Sequence, residues 1–126
     1  PTAVDSMQAM FKGASAFNAD ITSWSTTALT NTVEMFKNAT SFNQDLSSWN
    51  IGQLADADEM FDGSGLSTAN YNTLLNGWAA QAPNIQSNVK LGAQGIQYNI
   101  PVSQTAHDIL TSPPYNWTIA DGGGIP

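Results

Sequence analysis

The chain has 126 residues, enough for one domain that buries most of its apolar surface without disulfide or metal staples. Charged residues make up only 10%, against about 25% in an average globular protein, so the polar surface must be built from Asn, Gln, Ser and Thr. Ten acids against three lysines give a net charge of −7, which excludes the cationic footprint of a nucleic-acid binder and disfavours an anionic membrane surface.

Cysteine is absent, which removes disulfides and thiolate metal sites. No apolar run reaches the 18 residues of a spanning helix. The chain lacks a signal peptide, does not begin with Met, and already holds a repeat position at Val4. Those features predict a processed product or a fragment, and the uncharged polar composition suits an extracellular or cell-surface setting.

Taken in chain order, the dominant feature is a repeat. Met10–Trp24, MFKGASAFNADITSW, returns 25 residues later as Met35–Trp49, MFKNATSFNQDLSSW, with nine of fifteen positions identical. A period in this range marks units that cannot bury their own apolar face and must stack. The register aligns Val4, Leu29 and Leu54, then Met10, Met35 and Met60, then Phe11, Phe36 and Phe61. Ala14 and Ala39, Phe17 and Phe42, Ile21 and Leu46, and Trp24 and Trp49 follow. This stripe reads as the core of stacked coils.

Within a coil, the spacing of Met10, Ala14 and Phe17 predicts a short helical or 3₁₀ segment. Asn18–Trp24 reads as a short strand, and parallel stacking would set coils about 4.8 Å apart. Asn18 and Asn43 share a register position. The expected role is a stacked, buried Asn serving turn backbone; the alternative is an exposed polar track for a ligand or calcium. The third coil starts with Leu54 and Met60–Phe61 and then breaks at Ser67. Ser67 is a good N-cap for a helix over Thr68–Ala80, in which Tyr71, Leu74, Leu75 and Trp78 fall at helical spacing. Such a helix would seal the open end of the stack, although Gly77 weakens its last turn. Beyond it come a loop over Pro83–Ser87, a strand over Asn88–Leu91 and an extended piece at Ile96–Tyr98 broken by Pro101. A short helix over Gln104–Leu110, capped by Ser103 and burying Ala106, Ile109 and Leu110, precedes a strand over Asn116–Ala120. Asp121–Pro126 reads as a turn and the start of a linker.

Catalytic chemistry is poorly supplied. His107 is the single histidine, and its neighbour Asp108 does not face it on a helix. No nucleophile elbow, P-loop or HExxH motif is present. Asp20 and Asp45 would stack as like charges, raising the pKa of one of them. Asp56, Asp58, Glu59 and Asp62 form the densest acidic cluster, a candidate calcium loop without EF-hand spacing; solvated acids around a buried Met60–Phe61 are the competing reading. Lys12 and Lys37 share a repeat position and read as a solvated edge. Asn38 and Asn116 open glycosylation-acceptor patterns, and Asn38 sits where the other coils carry Gly.

The pattern MF..A..FN.D(I/L).(S)W resembles the BspA-like leucine-rich repeats of bacterial surface proteins and mycoplasma surface lipoproteins. The segments LSTANYNTLLNGWAAQ (Leu66–Gln81), VKLGAQGIQY (Val89–Tyr98) and NWTIADGG (Asn116–Gly123) resemble the region that follows such repeats. The resemblance implies an α/β chain: a short right-handed leucine-rich-repeat-type solenoid of 25-residue coils with a C-terminal helix-and-strand cap. The expected divisions are solenoid repeats over 1–66, a capping segment over 67–121 and a linker over 122–126. It further implies a non-catalytic surface module, part of an adhesin that binds protein or polysaccharide, with no catalytic, cofactor or metal residue to carry over. A structural subunit that assembles with its own copies through an uncapped N-terminal end is the alternative.

Overall fold

Each coil alternates two kinds of backbone hydrogen bond. In a computed structural model, which describes residues 4–126, the N–H groups of Met7, Ala9, Phe11 and Gly13 cross to Asn31, Val33, Met35 and Lys37 carbonyls at 2.8–2.9 Å. The intervening Met10, Lys12 and Ala14 bond back three residues within their own coil. The second coil repeats this, with Thr32, Glu34, Phe36 and Asn38 donating to Asp56, Asp58, Met60 and Asp62. The expected helical segment is therefore a chain of β-turns, because alternate N–H groups leave the coil for its neighbour.

That alternation requires left-handed backbone at two positions per coil. Ala9, Glu34 and Glu59 hold φ of 55–56°, and Gly13, Asn38 and Gly63 hold φ of 60–72°. The second position explains the interchange of Gly and Asn, the residue types that best tolerate this region.

Stacking brings the expected aromatic ladder together. Phe11, Phe36 and Phe61 stack at 5.8 and 5.6 Å between centroids, and Phe17 lies 5.9 Å from Phe42. Burial is uneven along the ladder. Met35 and Met60 are fully buried, whereas Met10 is 49% exposed, and Phe11, Phe17 and Trp24 are half-buried. The expected core positions at Val4 and Met10 are thus surface in the first coil. Residues 1–3 of the expected repeat segment lie outside the described residues.

Asn18–Trp24 and Asn43–Trp49 form no strand. Side-chain bonds and an indole ladder replace backbone pairing there: Asn18 Oδ1 accepts from Asn43 N at 2.8 Å, and Trp49 Nε1 donates to Ile21 O at 3.1 Å. In the third unit, helix α1 (Thr68–Ala79) takes this place. Its Trp78 donates Nε1 to Leu46 O at 3.0 Å, continuing the ladder, and Ser67 caps its start by accepting from Asn70 N. Gly77 faces coil 2, where a Cβ would lie 2.6 Å from Ser47 Cβ and 2.7 Å from Ser47 O. The residue that weakened the helix on propensity is what lets it approach.

The parallel ladder does not stop at residue 66. Bridges join Ser6 to Asn31, Asn31 to Asp56, and Ala57 to Leu91 in β1 (Lys90–Ala93). Strand β1 then pairs in parallel with β3 (Thr118–Asp121) in the register Leu91 to Ile119. Beside them β2 (Tyr98–Asn99) pairs in parallel with β4 (Gly124–Ile125). Residues 122–126, expected as the start of a linker, therefore include a paired strand.

Helix α2 (Ile100–Thr111) is longer than expected, and Asn99 occupies its N-cap position. Pro101 lies in its first turn, where its missing N–H has no intrahelical role, so it begins the helix rather than breaking an element. Ser103 is an interior residue, fully buried, and its hydroxyl donates to Asn72 Oδ1 at 2.8 Å. Asn72 also accepts from Asn99 N and donates to Asn99 Oδ1, so this buried amide is satisfied between α1 and α2. Ala106 and Leu110 are buried as expected, while Ile109 is exposed.

The segment after residue 66 thus contains two successive helix–strand–strand units. Asn88 and Asn116, two residues ahead of β1 and β3, both hold left-handed φ; Gly95 and Gly123, two residues beyond those strands, do so as well.

Candidate functional site

A groove of about 390 Å³ opens where the end of coil 2 meets the loop after α1. Thr27, Asn50, Gln53, Asn84 and Gln86 supply its hydroxyl and amide lining, with Pro83 and Ile85 as its apolar part and no ionisable side chain. The coil side is held in place by Asn50 Oδ1, which accepts from Gly52 N at 2.9 Å, and by Thr26 Oγ1, which donates to Asn50 O at 3.0 Å. The loop side is tied by Gln86 Nε2 donating to Gly52 O at 2.9 Å. Behind them Gln81 accepts from Ile51 N and donates to Trp49 O, fixing the turn between the two walls. Paired amides and a hydroxyl on pinned backbone can donate to and accept from neutral polar groups without the desolvation cost of a charge.

None of these residues stands out by repeat position or motif. The amide-rich run Pro83–Ser87 reads as an ordinary loop, and only the fold sets it against coil 2. The one legible signal was the composition, which demands an uncharged polar surface.

The Asn positions serve backbone, but from the surface rather than from the core. Asn43 Oδ1 accepts from Ser67 N and from Asn70 Nδ2 at 2.9 Å each, and Gln44 Nε2 donates to Asn18 O. Asn18 and Asn43 are both exposed. Each connects its coil to the next unit, which matches the backbone reading and corrects the expectation of burial.

The acids do not converge. Asp56 Oδ1 accepts from Asp58 N, Glu59 pairs with Lys37 at 2.6 Å, and Asp62 Oδ1 accepts from Gln94 N. No three of the described acidic or histidine side chains gather as a metal site. Asp20, expected to gain a raised partner through Asp45, is instead held below the usual carboxylate value by the Thr22 hydroxyl and then by the Thr22 N–H. Lys12 and Lys37, read as a solvated edge, join a diagonal chain: Lys12 to Glu34 at 3.2 Å, Glu34 to Lys37 at 3.3 Å, and Lys37 to Glu59. Those two glutamates hold the Lys37 ammonium above its usual value.

His107 has a partner that spacing does not reveal. Its Nε2 lies 3.3 Å from Asp121 Oδ2, which also accepts from Tyr71 OH at 2.7 Å. Tyr98 stacks on the imidazole at 4.7 Å. Burial raises the Asp121 pKa, but His107, Tyr71 and the Gly123 N–H outweigh it and hold the carboxyl below its ordinary value. Burial beside that carboxylate pushes the Tyr71 phenol well up. The cluster ties together α1, β2, α2 and β3. Its carboxylate spends both oxygens on the fold, so we read it as a brace.

Among the described residues no helix is long and apolar enough to cross a membrane. No curated protein and no solved structure matches the chain. A family model matches residues 2–101, from the first coil through β2 and into the first turn of α2, so coils and first helix–strand unit fall within one family pattern. The chain belongs to the family described as Mycoplasma protein of unknown function, DUF285.

Proposed function

We propose that this chain is a BspA-like, right-handed leucine-rich-repeat-type solenoid that acts as a non-catalytic interaction module at a cell surface. Its role is that of an adhesin segment, and its ligand is a neutral polysaccharide or an uncharged polar stretch of protein. The observation that carries this reading is the groove of amides and hydroxyl at Thr27, Asn50, Gln53, Asn84 and Gln86, free of ionisable groups and set on pinned backbone. Preorganised donors and acceptors lose little entropy on binding, which suits hydroxyl-rich ligands of modest affinity. The 25-residue period and the parallel hydrogen bonding between coils support the solenoid assignment.

Titration calorimetry against a panel of neutral and acidic oligosaccharides and polar peptides tests the proposal. Neutral ligands should bind, and the double variant Gln53→Ala, Asn84→Ala should weaken them by about tenfold or more while leaving the thermal unfolding curve unchanged. Preference for acidic ligands, or binding indifferent to both substitutions, would sink it.

A further inference from the structure

The groove beside coil 2 is one turn repeated on three rungs of the ladder. Ala57 bridges to Leu91, and the same step along the chain carries Asn50 to Asn84, Ile51 to Ile85 and Gly52 to Gln86. One coil earlier, the 25-residue period puts Thr26 and Thr27 in register with Ile51 and Gly52. Burial agrees with this alignment, since Thr26, Ile51 and Ile85 are all buried. Direct bonds join the rungs: Thr26 Oγ1 donates to Asn50 O, and Gln86 Nε2 donates to Gly52 O. Insertion of α1 lengthens the second step, so the sequence period hides the correspondence. We infer that the ligand of this groove is a linear neutral glycan with extended β-linkages, laid along the stack with one sugar on each of the three rungs, an assignment that rests on the groove reading above and narrows it to one ligand class.

Spacing favours such a chain. Parallel rungs lie about 4.8 Å apart, and the phenyl columns of these coils step by 5.6–5.9 Å. An equatorially linked pyranose advances its chain by about one rung per sugar, so successive sugars meet successive rungs. An extended peptide rises about 3.3 Å per residue and falls out of step.

The free groups favour it too. The Thr27 hydroxyl, Asn50 Nδ2, the Gln53 and Asn84 amides and Gln86 Oε1 have no partner among the described residues. Amides pair a donor with an acceptor, which matches neighbouring ring hydroxyls, and Pro83 and Ile85 offer apolar contact to the C–H face of a sugar. The backbone beneath is already spent. Ile51 N and Gly52 N donate to Gln81 and Asn50, and Gly52 O accepts from Gln86, so no strand edge is offered to a peptide. The net charge of −7 repels acidic glycans.

Gly52 makes room for the middle sugar. Thr27 carries a side chain at the equivalent place in coil 1, whereas at Gly52 a Cβ would already lie 3.1 Å from Asn50 Oδ1 and 3.2 Å from Asn84 O. The floor of the groove is thus opened by one missing side chain between two amide walls.

Titration calorimetry with β-1,4-linked glucose, mannose and xylose oligomers, from one sugar to six, tests the assignment on the whole chain. In at least one series affinity should rise about fivefold or more with each sugar up to the third and then level off. Oligomers of α-1,4-linked glucose, which curl away from the rungs, should bind about tenfold or more weakly than that series at equal length. Thr27→Ala, at an exposed position, should abolish the gain from the second sugar to the third and leave disaccharide binding unchanged. Gly52→Thr, which gives coil 2 the residue of coil 1, should weaken the trisaccharide about tenfold or more, with circular dichroism showing that both variants are folded. A single sugar that binds as tightly as three, α-linked oligomers that bind equally well, or binding indifferent to both substitutions overturns the assignment and leaves the groove reading standing. Binding of polar peptides alone does the same. Failure of every neutral ligand removes both.

Discussion

The coils before residue 66 and the helix–strand units after it extend one parallel ladder by different means. In the coils each side chain lies on its own copy, with phenyl rings 5.6 and 5.9 Å apart at equivalent positions. Any change of shape at one level is felt at the next, so the residues repeat. In the later units the outer arm is a helix that satisfies its own backbone, and neighbouring helices pack at about 8–10 Å through side chains that need to fit but not to match. The strands still pair rung to rung, from Leu91 to Ile119, yet only the left-handed Asn and Gly positions recur at both. Sequence identity fades where structural repetition continues, because a backbone ladder constrains conformation more than side chains.

The largest expected effect probes the copy-on-copy packing. Phe36 lies between Phe11 and Phe61 and is fully buried, so Phe36→Ala should destabilise by about 3–5 kcal/mol. Phe11→Ala, at the half-buried first rung, should lose about 1–2 kcal/mol. Urea unfolding of the pair would break the comparison if both cost the same.

Next comes the junction between the two regions. Gly77→Ala in an ordinary helix would gain up to about 1 kcal/mol from propensity. Against Ser47 the added methyl must displace backbone, and a loss of about 1–3 kcal/mol is expected. A stabilised variant would show that α1 does not press on coil 2.

In the later region Asp121 makes the cross-ties. Asp121→Asn should cost about 1–3 kcal/mol at neutral pH by leaving His107 and Tyr71 poorly matched. The carboxyl is held below its ordinary value of 3.8 in the folded chain, so its stabilisation is complete above 3.8 and lost as pH falls through the lower folded value. Urea midpoints of wild type and variant should therefore converge in that acid window. A gap that stays constant there would contradict the brace.

The smallest effect belongs to the charges on the coils. Lys37→Met removes pairs to Glu34 and Glu59, but these lie at a partly exposed edge where solvent and salt screen them. Its melting temperature should stay within the scatter of duplicates at physiological salt. A large drop would mean that the ion-pair diagonal, and not the aromatic ladder, joins the coils.

The sequence by itself determined the 25-residue register, the buried Phe61 and Met60 positions, the Ser67 cap and the turn of α1 that carries Trp78. Those features are local or periodic, and periodicity survives in a one-dimensional string. Only the tertiary structure decided that Met10 is surface while Met35 is core, since burial depends on what stacks above a position. It alone joined His107 to Asp121, turned Pro101 into a helix start, and drew Gly124–Ile125 into a strand. The groove belongs to the same class: Asn50 and Asn84 meet only because coil 2 and the loop after α1 fold against each other. Contacts between segments with no shared period leave no pattern in the chain, and the amides that line this site were therefore legible as composition but not as a place.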